Sequence, residues 1–275
     1  MRTEFEAVAG RIPLPEGAVT TPTAVGGLAA EWIRPAAAEP GRVVLYLHGG
    51  GYTLGSLVTH RALAARVALA ADAEVLLVEY RKAPEHRFPA ALDDALATVS
   101  HVRAHRPGAA LALVGDSAGG GLALATAIAL RDAGAPSPCA VALLSPWCDL
   151  ALTGDSVAGN EATDPQSSRA LLSAMAGAYL GPADADTPLA SPLHADLRGL
   201  PPLLIQVGSA EMLLDDGRRL LARAEAQGVD VTCEVWQDMF HVWHALGPVL
   251  PEAVDALGHL GSWLGRRWQP AEPSE

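Results

Sequence analysis

Short apolar runs alternate with longer helical stretches along most of the chain. Six runs are continuously apolar, which is typical of strands buried on both faces of a parallel sheet. These runs are VVLYL (43–47), EVLLVEY (74–80), ALALVG (110–115), AVALLSPW (140–147), PLLIQVG (202–208) and VTCEVW (231–236). Helical spacing is found between or after them, at 59–71, 89–104, 119–133, 215–227 and 251–266. This order predicts an α/β fold with a mostly parallel sheet covered by helices on both faces.

The first part of the chain departs from this alternation. Residues 1–40 carry many Pro and Gly residues and predict a helix near 2–10 and two weak strands within 18–34. With the six apolar runs, these two strands give a central sheet of about eight strands.

A second departure lies at residues 151–200, which hold a polar stretch and one helix near 165–180. An insertion between two sheet strands covers the carboxyl edge of the sheet, where ligands bind in open α/β sheets. We therefore expect a single domain over 1–275, with small helical cap elements from about 1–17 and 151–200.

The composition excludes several classes of protein. Of the 275 residues, 50% are hydrophobic and 18% are charged, which excludes a disordered chain. The net charge of −12 opposes binding to nucleic acids or anionic membranes. No apolar run is long enough to span a bilayer, and the first residues lack the apolar core of a signal peptide, so we expect a cytoplasmic protein.

The segment GDSAG (115–119) stands directly between a predicted strand and a predicted helix. In that context a G-x-S-x-G pattern makes a sharp turn that presents the Ser117 hydroxyl in a strained, exposed position, as a nucleophile requires. The start of the following helix adds a positive dipole end near the anion that forms. The alternatives are a helix-capping Ser and a phosphate loop, but the segment lacks the Lys-Ser/Thr ending of a phosphate loop.

A second glycine cluster, HGGGY (48–52), follows the run VVLYL. Glycines here leave backbone N–H groups free to face a developing oxyanion, because no Cβ obstructs them. Loops of this kind form oxyanion holes, and the N–H groups of Gly50, Gly51 and Ala118 are the expected donors. We interpret His48 as a structural residue that holds the loop by hydrogen bonds, rather than as a base.

A base has to follow the nucleophile, since the chain order in such folds is Ser, acid, His. His241 comes on a short turn after VTCEVW, from which it can reach Ser117 over the sheet edge. His244, three residues further along, is the alternative.

The acid is expected in the loop after PLLIQVG. Glu211 comes first after that strand and is our choice to orient the histidine and stabilise its charged form. Asp215 and Asp216 are alternatives, although their position suggests the N-cap and first turn of the next helix.

Six motifs, in this order, resemble those of the hormone-sensitive-lipase-like (bacterial family IV) esterases of the α/β-hydrolase superfamily. They are HGGGY (48–52), EYRKAPEHRFPAALDDA (79–95), GDSAGGGLA (115–123), SPWCDL (145–150), GSAEMLLDD (208–216) and MFHVW (239–243). The resemblance covers about 43–268 and implies an α/β-hydrolase fold. The site residues it implies are Ser117 as nucleophile, His241 as base, Glu211 as acid, and Gly50, Gly51 and Ala118 as oxyanion hole.

The chain also departs from the family pattern. Lys82 stands where a hydrophobic residue is usual, inside a motif that is otherwise matched and is architectural in the family. Only some forty residues precede VVLYL, so we expect a reduced N-terminal cap and a more open pocket.

The resemblance implies a serine carboxylesterase that hydrolyses short- to medium-chain acyl esters or lactones of an uncharged substrate, without metal or organic cofactor. One alternative is an amidase or deacetylase with the same triad. A non-catalytic receptor is less favoured. The plant gibberellin receptors that resemble this family lack the catalytic His, whereas this chain has His241 at that position. Homodimers formed through an edge strand are common among the proteins that the chain resembles, but no residue pattern in this sequence indicates one. An apolar substrate wall, or ordinary helix packing, is expected from Leu171, Leu172, Met175, Tyr179 and Leu180.

Overall fold

The computed structural model describes residues 2–36, 41–247 and 249–268, and within them one mixed, mostly parallel sheet has helices on both faces. The strands are β1 (Ala18–Val25), β2 (Leu28–Pro35), β3 (Arg42–Leu47), β4 (Glu74–Val78), β5 (Ala110–Asp116), β6 (Ala140–Leu144), β7 (Leu203–Gly208) and β8 (Val231–Trp236). The helices are α1 (Arg2–Ala9), α2 (Leu57–Ala71), α3 (Ala90–His105), α4 (Ala118–Asp132), α5 (Ser156–Gly159), α6 (Arg169–Leu180), α7 (Leu214–Ala226) and α8 (Pro251–Gly265). The predicted fold class is confirmed, while the ends of the expected domain, Met1 and 269–275, lie outside the described residues.

The strand order across the sheet is β1-β2-β4-β3-β5-β6-β7-β8. Strands β3 to β8 are parallel, whereas β1 and β2 add an antiparallel edge. Every residue of β6 and β7 is buried, which explains why their sequences are continuously apolar. Because parallel strands end at one edge, the loops after β3, β5, β7 and β8 meet there.

Alternate residues of each central strand pack against different helices. In β3, Val43, Leu45 and Leu47 join the core formed with α3, α4 and α7. Val44 and Tyr46 join the core formed with α2 and α8. The sheet is therefore filled from both sides, and this frame fixes the positions of the loops at its carboxyl edge.

Two apolar runs extend beyond their strands. The run 140–147 continues past β6, which ends at Leu144 because Ser145 takes a left-handed conformation with φ +47°. The run 74–80 continues past β4, and its last residue, Tyr80, instead donates its hydroxyl to the carbonyl of His48 at 2.6 Å. Apolar character alone thus predicts burial better than it predicts where a strand ends.

Helix α8 contains a matched pair of glycines that tests its packing on α2. A Cβ at Gly261 would lie 1.9 Å from the carbonyl oxygen of Ala70, whereas a Cβ at Gly258 would meet nothing within 4 Å. We expect Gly261→Ala to lower the free energy of unfolding by about 2–3 kcal/mol, because the two backbones must separate. We expect Gly258→Ala to raise it by about 0.5–1 kcal/mol, through helix propensity. Urea denaturation measures both, and equal stabilities would contradict this packing.

Helices α1 and α6 lie where cap elements were expected. The helix predicted near 165–180 begins at Arg169, after Ser168 as N-cap, whose hydroxyl accepts the N–H of Leu171 at 3.2 Å. Arg2 attaches α1 to the body by donating to the carbonyl oxygens of Thr53 and Ala83, at 2.7 and 2.6 Å. No helix among the described residues is long and apolar enough to cross a membrane.

Candidate active site

Ser117 lies in the turn between β5 and α4, with φ 52° and ψ −123°. This left-handed conformation is strained for a residue with a side chain. Two small neighbours make the turn possible: a Cβ at Gly115 would lie 2.2 Å from the carbonyl oxygen of Gly119, and one at Gly119 would lie 2.0 Å from that of Leu47. The glycines of the G-x-S-x-G pattern are therefore required by backbone contact, and the turn holds the Ser117 hydroxyl at the sheet edge.

Ser117, His241 and Glu211 form one chain of hydrogen bonds. Ser117 Oγ lies 2.9 Å from His241 Nε2, and His241 Nδ1 lies 2.8 Å from Glu211 Oε2. A carboxylate only accepts hydrogen bonds, so Nδ1–H donates to Glu211 and leaves Nε2 to accept from the Ser117 hydroxyl. The other Glu211 oxygen accepts the N–H of Gly208 at 2.9 Å, which fixes the carboxylate in the loop after β7. This is the arrangement that a serine nucleophile needs for activation.

The backbone between β8 and α8 explains why His241 rather than His244 faces Ser117. Val242 has φ +50°, and its N–H donates to Ser145 Oγ at 3.1 Å. After this turn His244 points into the body, where its Nε2 lies 3.1 Å from Gln206 Oε1. Burial lowers the pKa of His244 to about 3, so its imidazole is neutral.

The two alternative acids point away from His241. Asp215 Oδ2 accepts the N–H of Ser156 at 2.8 Å, and Asp216 Oδ2 accepts the N–H groups of Cys148 and Asp149 at 2.7 and 2.9 Å. The expectation that one of them caps α7 is wrong. The N-cap position belongs to Leu213, and both carboxylates lie in the first turn, where they tie the loops after β6 to the helix.

Charges around His241 favour its protonated form. Burial by itself lowers the pKa of His241, but the hydrogen bond and charge of Glu211, together with the charges of Asp164 and Asp116, outweigh it and raise the pKa above its ordinary value. The imidazolium that forms when the histidine takes a proton is therefore stabilised in place.

The glycine loop after β3 is anchored to the turn that carries Ser117 by a residue that the sequence did not single out. Asp116 Oδ1 accepts the N–H of Gly49 at 3.1 Å and the hydroxyl of Tyr46 at 2.8 Å. Gly50 and Gly51 have φ +111° and +59° and line the cavity together with Ser117. His48 is buried, its Nδ1 lies 2.8 Å from its neighbour's carbonyl, Gly49 O, and its ring stacks on that of Tyr80 with centroids 4.2 Å apart.

Ala118 is the first residue of α4, directly after Ser117. The N–H at this helix position has no acceptor within the helix, so it is available to a ligand. The three expected oxyanion donors thus come from the glycine loop on one side and the helix start on the other.

An apolar cavity of about 460 Å³ lies above Ser117 and His241. Its walls include Phe5, Val8 and Ile12 from the α1 region, and Leu171, Leu172 and Met175 from α6. Met175 packs directly on the glycine loop, since a Cβ at Gly51 would lie 2.2 Å from its sulfur.

The other two expected wall residues, Tyr179 and Leu180, pack into the body instead of lining this cavity. The ring of Tyr179 stacks on that of Tyr52, with centroids 3.7 Å apart. Helical periodicity predicted which face of α6 is apolar. It did not predict which residues of that face line the cavity and which pack into the core.

Lys82 is largely buried and pairs with Glu79, whose other carboxylate oxygen accepts the N–H of Leu57 at 2.8 Å. The charge that replaces the usual hydrophobic residue is therefore compensated at the start of α2. Among the described residues, no group of three or more His, Cys, Asp and Glu side chains could hold a metal ion.

A serine, a histidine and a carboxylate at the carboxyl edge of such a sheet, beside a glycine loop, define a serine hydrolase. Residues 44–245 match the Abhydrolase_3 family, which has the α/β-hydrolase fold, and the chain belongs to this family.

Comparison with three similar proteins indicates the kind of enzyme within this family. An acetyl-hydrolase from Streptomyces hygroscopicus is 49% identical over 256 residues, which are 93% of this chain and 84% of that protein. A crystal structure of an esterase from the bacterial hormone-sensitive lipase family superposes with a TM-score of 0.94 at 46% identity, covering 98% of this chain and 91% of the other. A crystal structure of EstE5 soaked with p-nitrophenyl butyrate superposes with a TM-score of 0.93 at 43% identity, covering 98% of this chain and 90% of the other. The chain is an esterase of the hormone-sensitive-lipase type.

Proposed function

We propose that Ser117 is the nucleophile of a carboxylesterase, with His241 as general base and Glu211 as the acid that orients it. The single observation that supports this most strongly is the chain of hydrogen bonds from Glu211 through His241 to Ser117, with donor–acceptor distances of 2.8 and 2.9 Å, at the floor of an apolar cavity. Gly50, Gly51 and Ala118 supply the N–H groups of the oxyanion hole.

Acylation begins when Ser117 Oγ attacks the ester carbonyl carbon and His241 Nε2 takes the hydroxyl proton. The negative charge that develops on the carbonyl oxygen is stabilised by the N–H groups of Gly50, Gly51 and Ala118. His241 then gives its proton to the departing alcohol, which leaves an acyl group on the serine.

Deacylation repeats the same steps with water. His241 takes a proton from a water molecule, the hydroxide attacks the acyl carbonyl, and the tetrahedral intermediate collapses to release the carboxylic acid and restore the Ser117 hydroxyl. Throughout, Glu211 accepts the hydrogen bond from Nδ1 and stabilises the imidazolium.

The cavity favours a small uncharged ester. No Lys or Arg is among the described residues that line it, so these residues offer a permanent anion no permanently charged partner. We also infer that α1 with Ile12 and helix α6 act as the cap, since both contribute apolar walls above Ser117. The butyrate ester used with EstE5, a similar esterase, is consistent with a short acyl group.

The acyl-length profile tests this proposal. With p-nitrophenyl esters we expect kcat/KM to be highest at about four to eight acyl carbons. At twelve carbons it should be at least about tenfold lower, because methylenes beyond the cavity are ordered without being buried. The alcohol is the same throughout, so only the acyl chain varies, and Ser117→Ala gives the background rate. A maximum at twelve or more carbons would contradict a short-acyl site.

A further inference from the structure

One short segment of the insertion contacts both loops that carry Glu211 and His241. Residues 160–166 lie between α5 and α6, just before Ser168 caps α6. Side chains from this segment reach residues that are far away in the sequence but lie around the proposed triad. The cap and the triad are therefore joined through a single stretch of backbone.

The 160–166 segment holds the acid loop through four hydrogen bonds. Three side chains take part, and they bond consecutive backbone groups around Glu211. Asn160 Nδ2 donates to the carbonyls of Ser209 and Glu211 at 3.1 and 2.9 Å, Thr163 Oγ1 donates to that of Ala210 at 3.0 Å, and Asp164 Oδ2 accepts the N–H of Met212 at 3.0 Å. The backbone on both sides of the acid is thereby fixed.

The same segment holds the histidine loop. Gln166 Nε2 donates to the carbonyl oxygen of His241 at 2.7 Å, and the N–H of Gln166 donates to Asp164 Oδ1 at 3.0 Å. The two oxygens of the buried Asp164 carboxylate thus serve both sides, one through Met212 and the other through Gln166. Gln166 is exposed overall, but it also lines the mouth of the cavity.

We propose that Asp164 and Gln166 are positioning residues that hold Glu211 and His241 at the separation that proton transfer from Ser117 requires. The inference rests on the proposed function, since it concerns the same triad. Proton transfer depends steeply on geometry, and a displacement of about 1 Å can lower the rate by about 100-fold. Neither residue touches Ser117, so each acts through the groups it holds.

Asp164 also contributes charge. The titratable groups that face His241 are the carboxylates of Glu211, Asp164 and Asp116, which raise its pKa, and His244 beneath it. Removal of the Asp164 charge should lower the pKa of His241. His241 of the free enzyme has to be neutral to act as a base. The acid limb of the kcat/KM profile should therefore move to lower pH when the pKa of His241 falls.

Two variants test the proposal against wild-type enzyme with p-nitrophenyl butyrate. Gln166→Met removes the donor to His241 but keeps the side-chain length, and we expect kcat to fall by about 10- to 100-fold with KM changed less than about threefold. Asp164→Asn should lower kcat similarly and move the acid limb down by about 0.5 pH unit. Asp186→Asn, on an exposed part of the same insertion, is the matched control and should change neither.

The possible outcomes distinguish failure of the positioning role from failure of the proposed esterase function. If wild type turns over but both variants stay within about twofold, with the acid limb unmoved, the positioning role is wrong. A lower melting temperature without any change in kcat or in the acid limb would also overturn it, since that is what a purely structural role produces. If Asp164→Asn does not fold, the exposed Gln166 decides alone. A folded wild type without esterase turnover would overturn the proposed function and this inference with it.

Discussion

Replacing Ser117 by alanine should lower kcat for p-nitrophenyl butyrate by about 10⁵-fold or more. The variant loses the oxygen that we propose forms the acyl-enzyme, and among the described residues no other hydroxyl is hydrogen-bonded to His241 Nε2. The measurement is steady-state hydrolysis with the rate in buffer subtracted. The remaining oxyanion donors and cavity should leave substrate binding largely unchanged.

This variant should fold like wild type. The Ser117 backbone is held by its N–H to Leu144 O and by its carbonyl to the N–H of Trp147, at 2.8 and 2.9 Å, and alanine keeps both bonds. Circular dichroism and melting temperature provide the check. A folded Ser117→Ala protein that retains more than about 1% of the activity would exclude Ser117 as the nucleophile.

Replacing Glu211 by glutamine should lower kcat by about 10³- to 10⁴-fold while preserving the side-chain shape. The amide offers a donor or a neutral oxygen to His241 Nδ1, so the imidazole is no longer held in the right tautomer and its charged form loses the facing carboxylate. Because that carboxylate also raises the pKa of His241, the acid limb of kcat/KM should shift to lower pH.

Asp215→Asn is the matched control, a carboxylate changed to an amide four residues further along the chain, in the first turn of α7. Its oxygen can still accept the N–H of Ser156, so we expect less than about a tenfold change in kcat. If Asp215→Asn were the more damaging of the two, the assignment of the acid would be reversed.

The local parts of the site were predictable from the sequence because each is fixed by a few adjacent residues. The turn at Ser117 depends on Gly115 and Gly119, which stand two positions on either side of it, and the apolar runs mark the strands that carry the loops. The order of serine, acid and histidine then leaves few candidates, and position relative to the strand favours Glu211 over Asp215.

What the sequence could not predict are contacts between distant segments. Asp116 reaches the glycine loop across 67 positions, and Gln166 reaches His241 across 75. Neither contact corresponds to a periodic or regularly spaced pattern in the sequence, because each forms only when the folded sheet brings distant loops together. Tyr179 shows the same limit, since its partner Tyr52 comes from the loop after β3.

Covalent labelling by a fluorophosphonate, followed by intact mass and peptide mapping, shows directly whether Ser117 is an activated nucleophile. The serine oxygen displaces fluoride from phosphorus only when a neighbouring base activates it. We expect one phosphonyl group per chain, located on Ser117, absent from Ser117→Ala and much slower to form in Glu211→Gln. A folded wild-type protein that stays unlabelled, or that hydrolyses esters while carrying the label at another residue, would contradict it.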